Sequence, residues 1–366
     1  MHTSDRPRVV PPNEIADLQE RLRRFRRPLV ATGHESDRGV DLDGLAALIE
    51  YWAEEYDWPA QEDRIRSLPW ELAGGQQPLR VIHQRAGSPS APAVLLLHGW
   101  PDSVLRFERV LPRLRDVNVV VPALPGFPFA APVPQGGLSA IRMADLVQEA
   151  MAALGYERFV ISAGDVGCDV AEALAGRHPE SVSALHLTDV SQYHFLVDLP
   201  EDLSPAERDY VTYGRSWQAR EGGYMHEQST KPQTLAAALG DSPAGLAAWI
   251  LEKLVSWTDC DGDIESVFTR DELLTWISAY WFDHCIGTSF TPYAESGGKP
   301  WPRIQAPAAF TIFAKDLVNA PREFAERFFF VASWVEHPRG GHFAAWERPD
   351  DYLEGIRAAL DHAQRP

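Results

Sequence analysis

The sequence predicts an α/β architecture: a parallel sheet with helices on both faces, a helical leader before it and a helical insertion within it. Two observations carry this. Short apolar runs rich in β-branched residues and leucine alternate with stretches of helical spacing from residue 79 to 190, and again from 305 to the end. Between them, 191–304 is helical in pattern and dense in Trp and Tyr, with no strand rhythm.

The leader comprises residues 1–78. Ile15, Leu18, Leu22 and Phe25 recur at helical spacing over 13–27, with Asn13 as the expected N-cap. A second helix is expected over 43–56, with Leu45, Leu48, Ile49 and Trp52 on one face, and a short amphipathic piece over 62–68. No strand is expected before residue 79, so the leader should wrap the outside of the core.

Strands follow at 79–83 and 93–97. The second, Ala-Val-Leu-Leu-Leu, is apolar throughout, as a strand buried on both faces should be. A turn, His98-Gly-Trp-Pro-Asp-Ser103, leads to a helix expected over 106–114. Further strands are expected at 117–121, 159–161, 182–189, 308–313 and 330–336, and helices at 139–154, 321–329 and 349–362. The domain reading is leader 1–78, core 79–190, cap 191–304 and core 305–366.

A net charge of −18 argues against a nucleic-acid partner. The three cysteines, Cys168, Cys260 and Cys285, show no metal-ligand spacing and read as reduced thiols of a cytoplasmic enzyme. The first residues lack an apolar signal core, and no stretch nears ~20 apolar residues. The expectation is a soluble chain with no membrane partner, no metal and no cofactor.

The chemistry centres on Glu157–Ala175. A strand (Phe159, Val160, Ile161), a turn of small residues (Ala163-Gly-Asp-Val-Gly167) and a helix (Val170, Ala173, Leu174) make the layout of a nucleophile elbow. The residue lifted by the turn is Asp165, where an esterase has serine. Asp316 and His342 follow later strands, giving the order nucleophile, acid, histidine used by α/β-hydrolases. Asp189 also ends a strand and competes with Asp316 for the acid's place. A carboxylate suits displacement at a saturated carbon, giving an ester that a histidine-activated water would hydrolyse. Backbone N–H groups of Trp100 and Val166 are the expected oxyanion donors. An epoxide oxygen would need tyrosine donors and a halide would need tryptophan N–H groups. The cap holds both residue types.

Taken together these segments resemble the microsomal-type epoxide hydrolases of the α/β-hydrolase fold. The resemblance is carried by Ile15–Pro28, Tyr51–Trp58, His98-Gly-Trp-Pro101, Ala163–Gly167, Gly223-Tyr-Met-His226, Thr230-Lys-Pro232, Phe313-Ala-Lys-Asp316 and Gly341–Trp346. It implies Asp165 as nucleophile, His342 as base, Asp316 as its orienting acid, and Tyr224 and Tyr293 as the pair holding the epoxide oxygen. Tyr280 and Tyr213 are the alternatives to Tyr293, whose surrounding motif is looser. The reaction implied is cofactor-independent conversion of an epoxide, bulky or aryl, and water to a vicinal diol. The absence of the mammalian relatives' membrane anchor implies a soluble bacterial-type member, and relatives of this kind are often homodimers. Rivals are a haloalkane dehalogenase with the same nucleophile and a non-catalytic ligand-binding homologue. His98 is expected to brace its loop, Cys168 to pack against the sheet, and Glu347 to start or cap the last helix.

Overall fold

A computed structural model describes residues 4–31, 38–88, 90–134 and 136–364. Parts of the leader, 1–3 and 32–37, therefore lie outside the described residues. The centre is one eight-stranded sheet: β1 (Trp70–Ala73), β2 (Leu79–Gln84), β3 (Ala93–Leu97), β4 (Asn118–Pro122), β5 (Phe159–Ala163), β6 (Val182–Leu187), β7 (Ile304–Phe313) and β8 (Phe329–His337). Their order is β1-β2-β4-β3-β5-β6-β7-β8. From β4 to β8 every pairing is parallel, while β1 and β2 are antiparallel to their neighbours.

Burial explains the middle of the sheet. All five residues of β3 are buried, with Leu95, Leu96 and Leu97 at 0% exposure. Fully burying each leucine contributes about 1.5–3 kcal/mol before entropy is counted. Helices Ala140–Ala153 and Val166–Arg177 pack against each other and the sheet, and Pro349–Ala363 packs along β6 and β7.

Three elements differ from expectation. The sequence reading placed no strand in the leader, yet Trp70–Ala73 pairs with β2 through a turn at Gly74, whose φ of 121° suits glycine. Four residues are too few for periodicity to reveal. The helix expected over 106–114 is two 3₁₀ turns, Val104–Phe107 and Leu111–Arg113. Pro112 lacks the N–H that a continuous helix would require there. The first helix begins at Pro12, with Pro11 and not Asn13 at its N-cap.

The leader packs on the cap as well as the core. Tyr51 donates to Asp271 Oδ1 (2.9 Å), Tyr56 and Thr275 share a hydrogen bond (3.0 Å), and Trp58 lies against Phe282. Arg270–Phe282 is thereby held from outside, with a Thr269/Glu272 capping box at its start. The other large helices between β6 and β7 are Pro205–Glu221, Gly223–Thr230, Pro232–Asp241 and Pro243–Trp257. No single helix among the described residues is long and apolar enough to cross a membrane; Pro232–Asp241 and Pro243–Trp257 pass only as a pair bent by 115°.

Candidate active site

Asp165 sits between β5 and the helix Val166–Arg177 with φ 56° and ψ −132°, a backbone region that non-glycine residues occupy at a cost of order 1–3 kcal/mol. The glycines nearby make this turn possible. A Cβ on Gly99 would come 2.4 Å from Asp165 Oδ1, and one on Gly167 would come 2.4 Å from the Leu97 carbonyl. The result is a carboxylate raised above the ends of β3, β5, β6, β7 and β8.

Each neighbouring strand delivers one group to the cluster around it. After β3, the Trp100 N–H donates to Asp165 Oδ1 at 2.7 Å. After β6, Asp189 Oδ2 accepts the Asp165 N–H at 3.1 Å. After β7, Asp316 Oδ1 lies 2.8 Å from His342 Nδ1. After β8, His342 Nε2 faces Asp165 Oδ2 at 3.4 Å, too far for a well-formed hydrogen bond. Val166 borders the cavity as the first residue of its helix.

Charge is distributed unevenly over these groups. Burial opposes a charged His342, but Asp316 and Asp165 outweigh it and raise its pKa to about 10. Asp316, buried too, is held below the usual carboxylate range by that imidazole. Asp189 makes no ion pair among the described residues, and burial with repulsion from Asp316 outweighs the pull of His342 and pushes it up to about 7. Of the two carboxyls, Asp316 is the one in hydrogen-bond contact with the imidazole.

The cap closes over the carboxylate with aromatic rings. Tyr224 stacks on Trp100, centroids 5.3 Å apart and planes within 5°, and Tyr293 meets both rings edge-on. Burial first, and the Asp165 charge second, raise both phenols well above their ordinary values, so both are neutral. The Tyr293 hydroxyl is buried without a hydrogen-bond partner. The two alternatives to Tyr293 are elsewhere: Tyr280 donates to the Asp102 carbonyl (2.9 Å), and Tyr213 is 52% exposed. A cavity of about 270 Å³ reaches Asp165, Tyr224, Tyr293 and Asp316, and Leu196 and Val197 stand partly exposed at its wall.

Several supports were not foreseen from sequence. Asp102 and Arg106 form a fully buried ion pair (2.5 Å) that ties two loops together. Asp102 also accepts the Gly99 N–H (2.8 Å), and Arg106 also donates to the His342 carbonyl (2.6 Å). The signal available was a charged pair four residues apart in an otherwise apolar stretch. Glu347 was expected to start or cap the last helix; instead its carboxylate accepts the N–H groups of Gly341 and Phe343 (2.9 Å each) and Asp259 (2.8 Å), holding the histidine loop. Lys299 enters the cavity wall on Asp169 (2.7 Å) and Glu172 (2.5 Å). His98 braces its loop, as expected, its Nε2 accepting the Leu124 N–H at 3.1 Å. No group of three or more ligand-type side chains that could hold a metal occurs among the described residues.

Comparison with known proteins identifies the family. Residues 7–107 match the family described as "Epoxide hydrolase N terminus", and 92–236 match "alpha/beta hydrolase fold". A Stigmatella aurantiaca (strain DW4/3-1) protein, provisionally named an epoxide hydrolase, is 35% identical over 371 residues, covering 95% of this chain and 82% of that protein. Epoxide hydrolase 1 of Sus scrofa is 30% identical over 393 residues, covering 94% and 85%. The structure of Aspergillus niger epoxide hydrolase superposes with a TM-score of 0.86 at 26% identity, covering 98% of this chain and 97% of that one. The chain belongs to the epoxide hydrolase family of the α/β-hydrolase fold, and epoxide hydrolysis is its activity.

Proposed function

We propose that the enzyme works through a covalent ester on Asp165. Oδ1 is engaged by the Trp100 N–H, which leaves Oδ2 as the attacking oxygen. Oδ2 bonds to an epoxide carbon while the ring C–O bond breaks. Its electron pair goes to the ring oxygen, which takes a proton from Tyr224 or Tyr293. The single observation supporting this most is the opposition of one carboxylate and two neutral phenols across a small cavity.

Esterification removes the charge from Asp165, one of the two carboxylates that keep His342 protonated. The imidazole can then give up its proton, which by way of solvent restores the phenol spent in ring opening, and accept one from water, with Asp316 holding its other nitrogen. Water's oxygen attacks Cγ of the ester, and the developing negative charge falls on Oδ1, where Trp100 N–H, with Val166 N–H, stabilises it. The diol leaves with Oδ2, and water's oxygen stays in the carboxylate.

Substrate and water are the only partners this scheme requires. An aryl or otherwise bulky epoxide suits a cavity roofed by aromatic rings and walled by Leu196 and Val197. Three buried free thiols fit a reducing, cytoplasmic setting. A dehalogenase would need tryptophan N–H groups in the cavity. Trp100 and Trp257 carry unpartnered N–H groups but do not line it, and the N–H of Trp301, which does, is taken by Glu172 (3.1 Å).

Hydrolysis of racemic styrene oxide by wild type, Asp165→Asn and Tyr224→Phe tests the reading, beside a halide-release assay on a haloalkane. Diol from wild type alone, with Tyr224→Phe slowed about 10²-fold or more and no halide, is expected. Diol formation by Asp165→Asn at the wild-type rate would sink the ester mechanism.

A further inference from the structure

Arginine supplies 30 of the 34 basic residues of this chain, and only four are lysine. Two of those four, Lys253 and Lys299, have nearly fully buried side chains, 7% and 8% exposed. Lys299 is neutralised by two carboxylates. Lys253 is placed differently. It projects from the helix Pro243–Trp257 with its Nζ 5.1 Å from the centroid of Tyr224, over the ring, and 5.6 Å from that of Trp257. Trp257 in turn meets Tyr224 at 5.0 Å and His342 at 5.2 Å. A compact ammonium thus rests on the π system of a phenol that faces the reacting carboxylate.

We infer that Lys253 is a positioning residue for ring opening, its ammonium making Tyr224 a stronger proton donor to the epoxide oxygen. The inference rests on the reading of Tyr224 as a donor. A cation over an aromatic face is attracted by the ring's negative quadrupole. That attraction grows when the phenol gives up its proton and negative charge spreads into the ring. The interaction is therefore stronger in the transition state than before it, which is the condition for raising a rate. Lys253 transfers no proton. The bonds made and broken are those at Asp165, the epoxide carbon and the ring oxygen, and the proton moved is that of Tyr224.

Glu252 lies 2.5 Å from the Lys253 ammonium and pulls the other way on Tyr224. Its side chain is 23% exposed against 7% for the lysine, so water screens the carboxylate more. Arginine, planar and larger, would present a more diffuse charge at this spot.

The test is single-turnover formation of the alkyl-enzyme from styrene oxide, followed by intact-protein mass after acid quench. Lys253→Met is expected to slow this step about tenfold, while breakdown of the ester is unchanged. Lys253→Arg should stay within about threefold of wild type, and Lys253→Gln should behave as Lys253→Met does. In a Tyr224→Phe background, Lys253→Met should cost nothing further, because the group through which it acts is gone. An equal loss in both backgrounds would assign Lys253 a packing role and overturn the inference, as would undiminished ester formation in Lys253→Met. If Tyr224→Phe by itself left ester formation unchanged, the donor reading of Tyr224 would fall first, and the inference with it.

Discussion

Asp316 and Asp189 occupy matching places, each just beyond the end of a neighbouring strand and each buried near Asp165. Their chemistry is opposite. Asp316 Oδ1 holds His342 Nδ1 at 2.8 Å and also accepts the Leu317 N–H at 2.7 Å, so it stays charged. Asp189 accepts one backbone N–H through Oδ2, its Oδ1 has no partner, and burial raises it to about 7. Strand position alone does not decide whether a buried carboxyl is charged; the partner it reaches does.

The largest effect should separate the two directly. Asp316→Asn removes the charge that orients and stabilises the imidazolium, so turnover should fall about 10³–10⁴-fold. Ester formation in the first turnover should survive, so the alkyl-enzyme should accumulate. Asp189→Asn keeps an acceptor for the Asp165 N–H and should cost less than about tenfold. Reversed sensitivities in steady-state and quench experiments would overturn the assignment.

A third buried carboxylate sharpens the lesson. Asp102 is held down to about 2 because Arg106 outweighs its burial. Arg106→Met would remove the ion-pair partner of the buried Asp102 and also free the His342 carbonyl. Urea unfolding at neutral pH should show a loss of about 3–5 kcal/mol. A loss under ~1 kcal/mol would mean that the pair stabilises little.

The smallest effect concerns pH. The folded protein holds the Asp189 proton more tightly than the unfolded chain, with its value raised from 3.8 to about 7. That contribution is present below the unfolded value and is lost as pH rises through about 7. Asp316 behaves in the opposite sense: its contribution is present above the unfolded value and is lost as pH falls through its lowered one. Asp189→Asn should therefore gain about 1 kcal/mol or more on wild type between pH 5 and pH 8 in paired denaturant titrations. A difference that does not vary with pH would show that Asp189 is ionised across the range.

What could be read in advance follows from how each feature is encoded. β3 and the elbow were legible because an unbroken apolar run and a small-residue turn have few alternative meanings. Asp165, Asp316 and His342 could be picked out because each follows a strand end, and the structure brings them within 2.8–3.4 Å of one another along a chain of contacts. Preferring Asp316 over Asp189 took the resemblance of Phe313-Ala-Lys-Asp316, since local sequence treats both alike. Tyr293 and Tyr280 differ in whether the hydroxyl meets the cavity or the Asp102 carbonyl, a matter of tertiary packing. The same holds for Glu347, whose three N–H donors come from two separate loops. The helix expected over 106–114 is two 3₁₀ turns because Pro112 cannot donate within a continuous helix. The Trp70–Ala73 strand was missed because its partner, not its own pattern, defines it.

The central claim is that an oxygen of Asp165, and not of solvent, enters the product first. Substoichiometric epoxide should be turned over once in water enriched in heavy oxygen, and both diol and protein analysed by mass. The account predicts unlabelled diol from that first turnover and one heavy oxygen in the peptide that carries Asp165. Labelled diol with an unlabelled peptide would mean that water attacks the epoxide directly, and the ester on Asp165 would have to be abandoned.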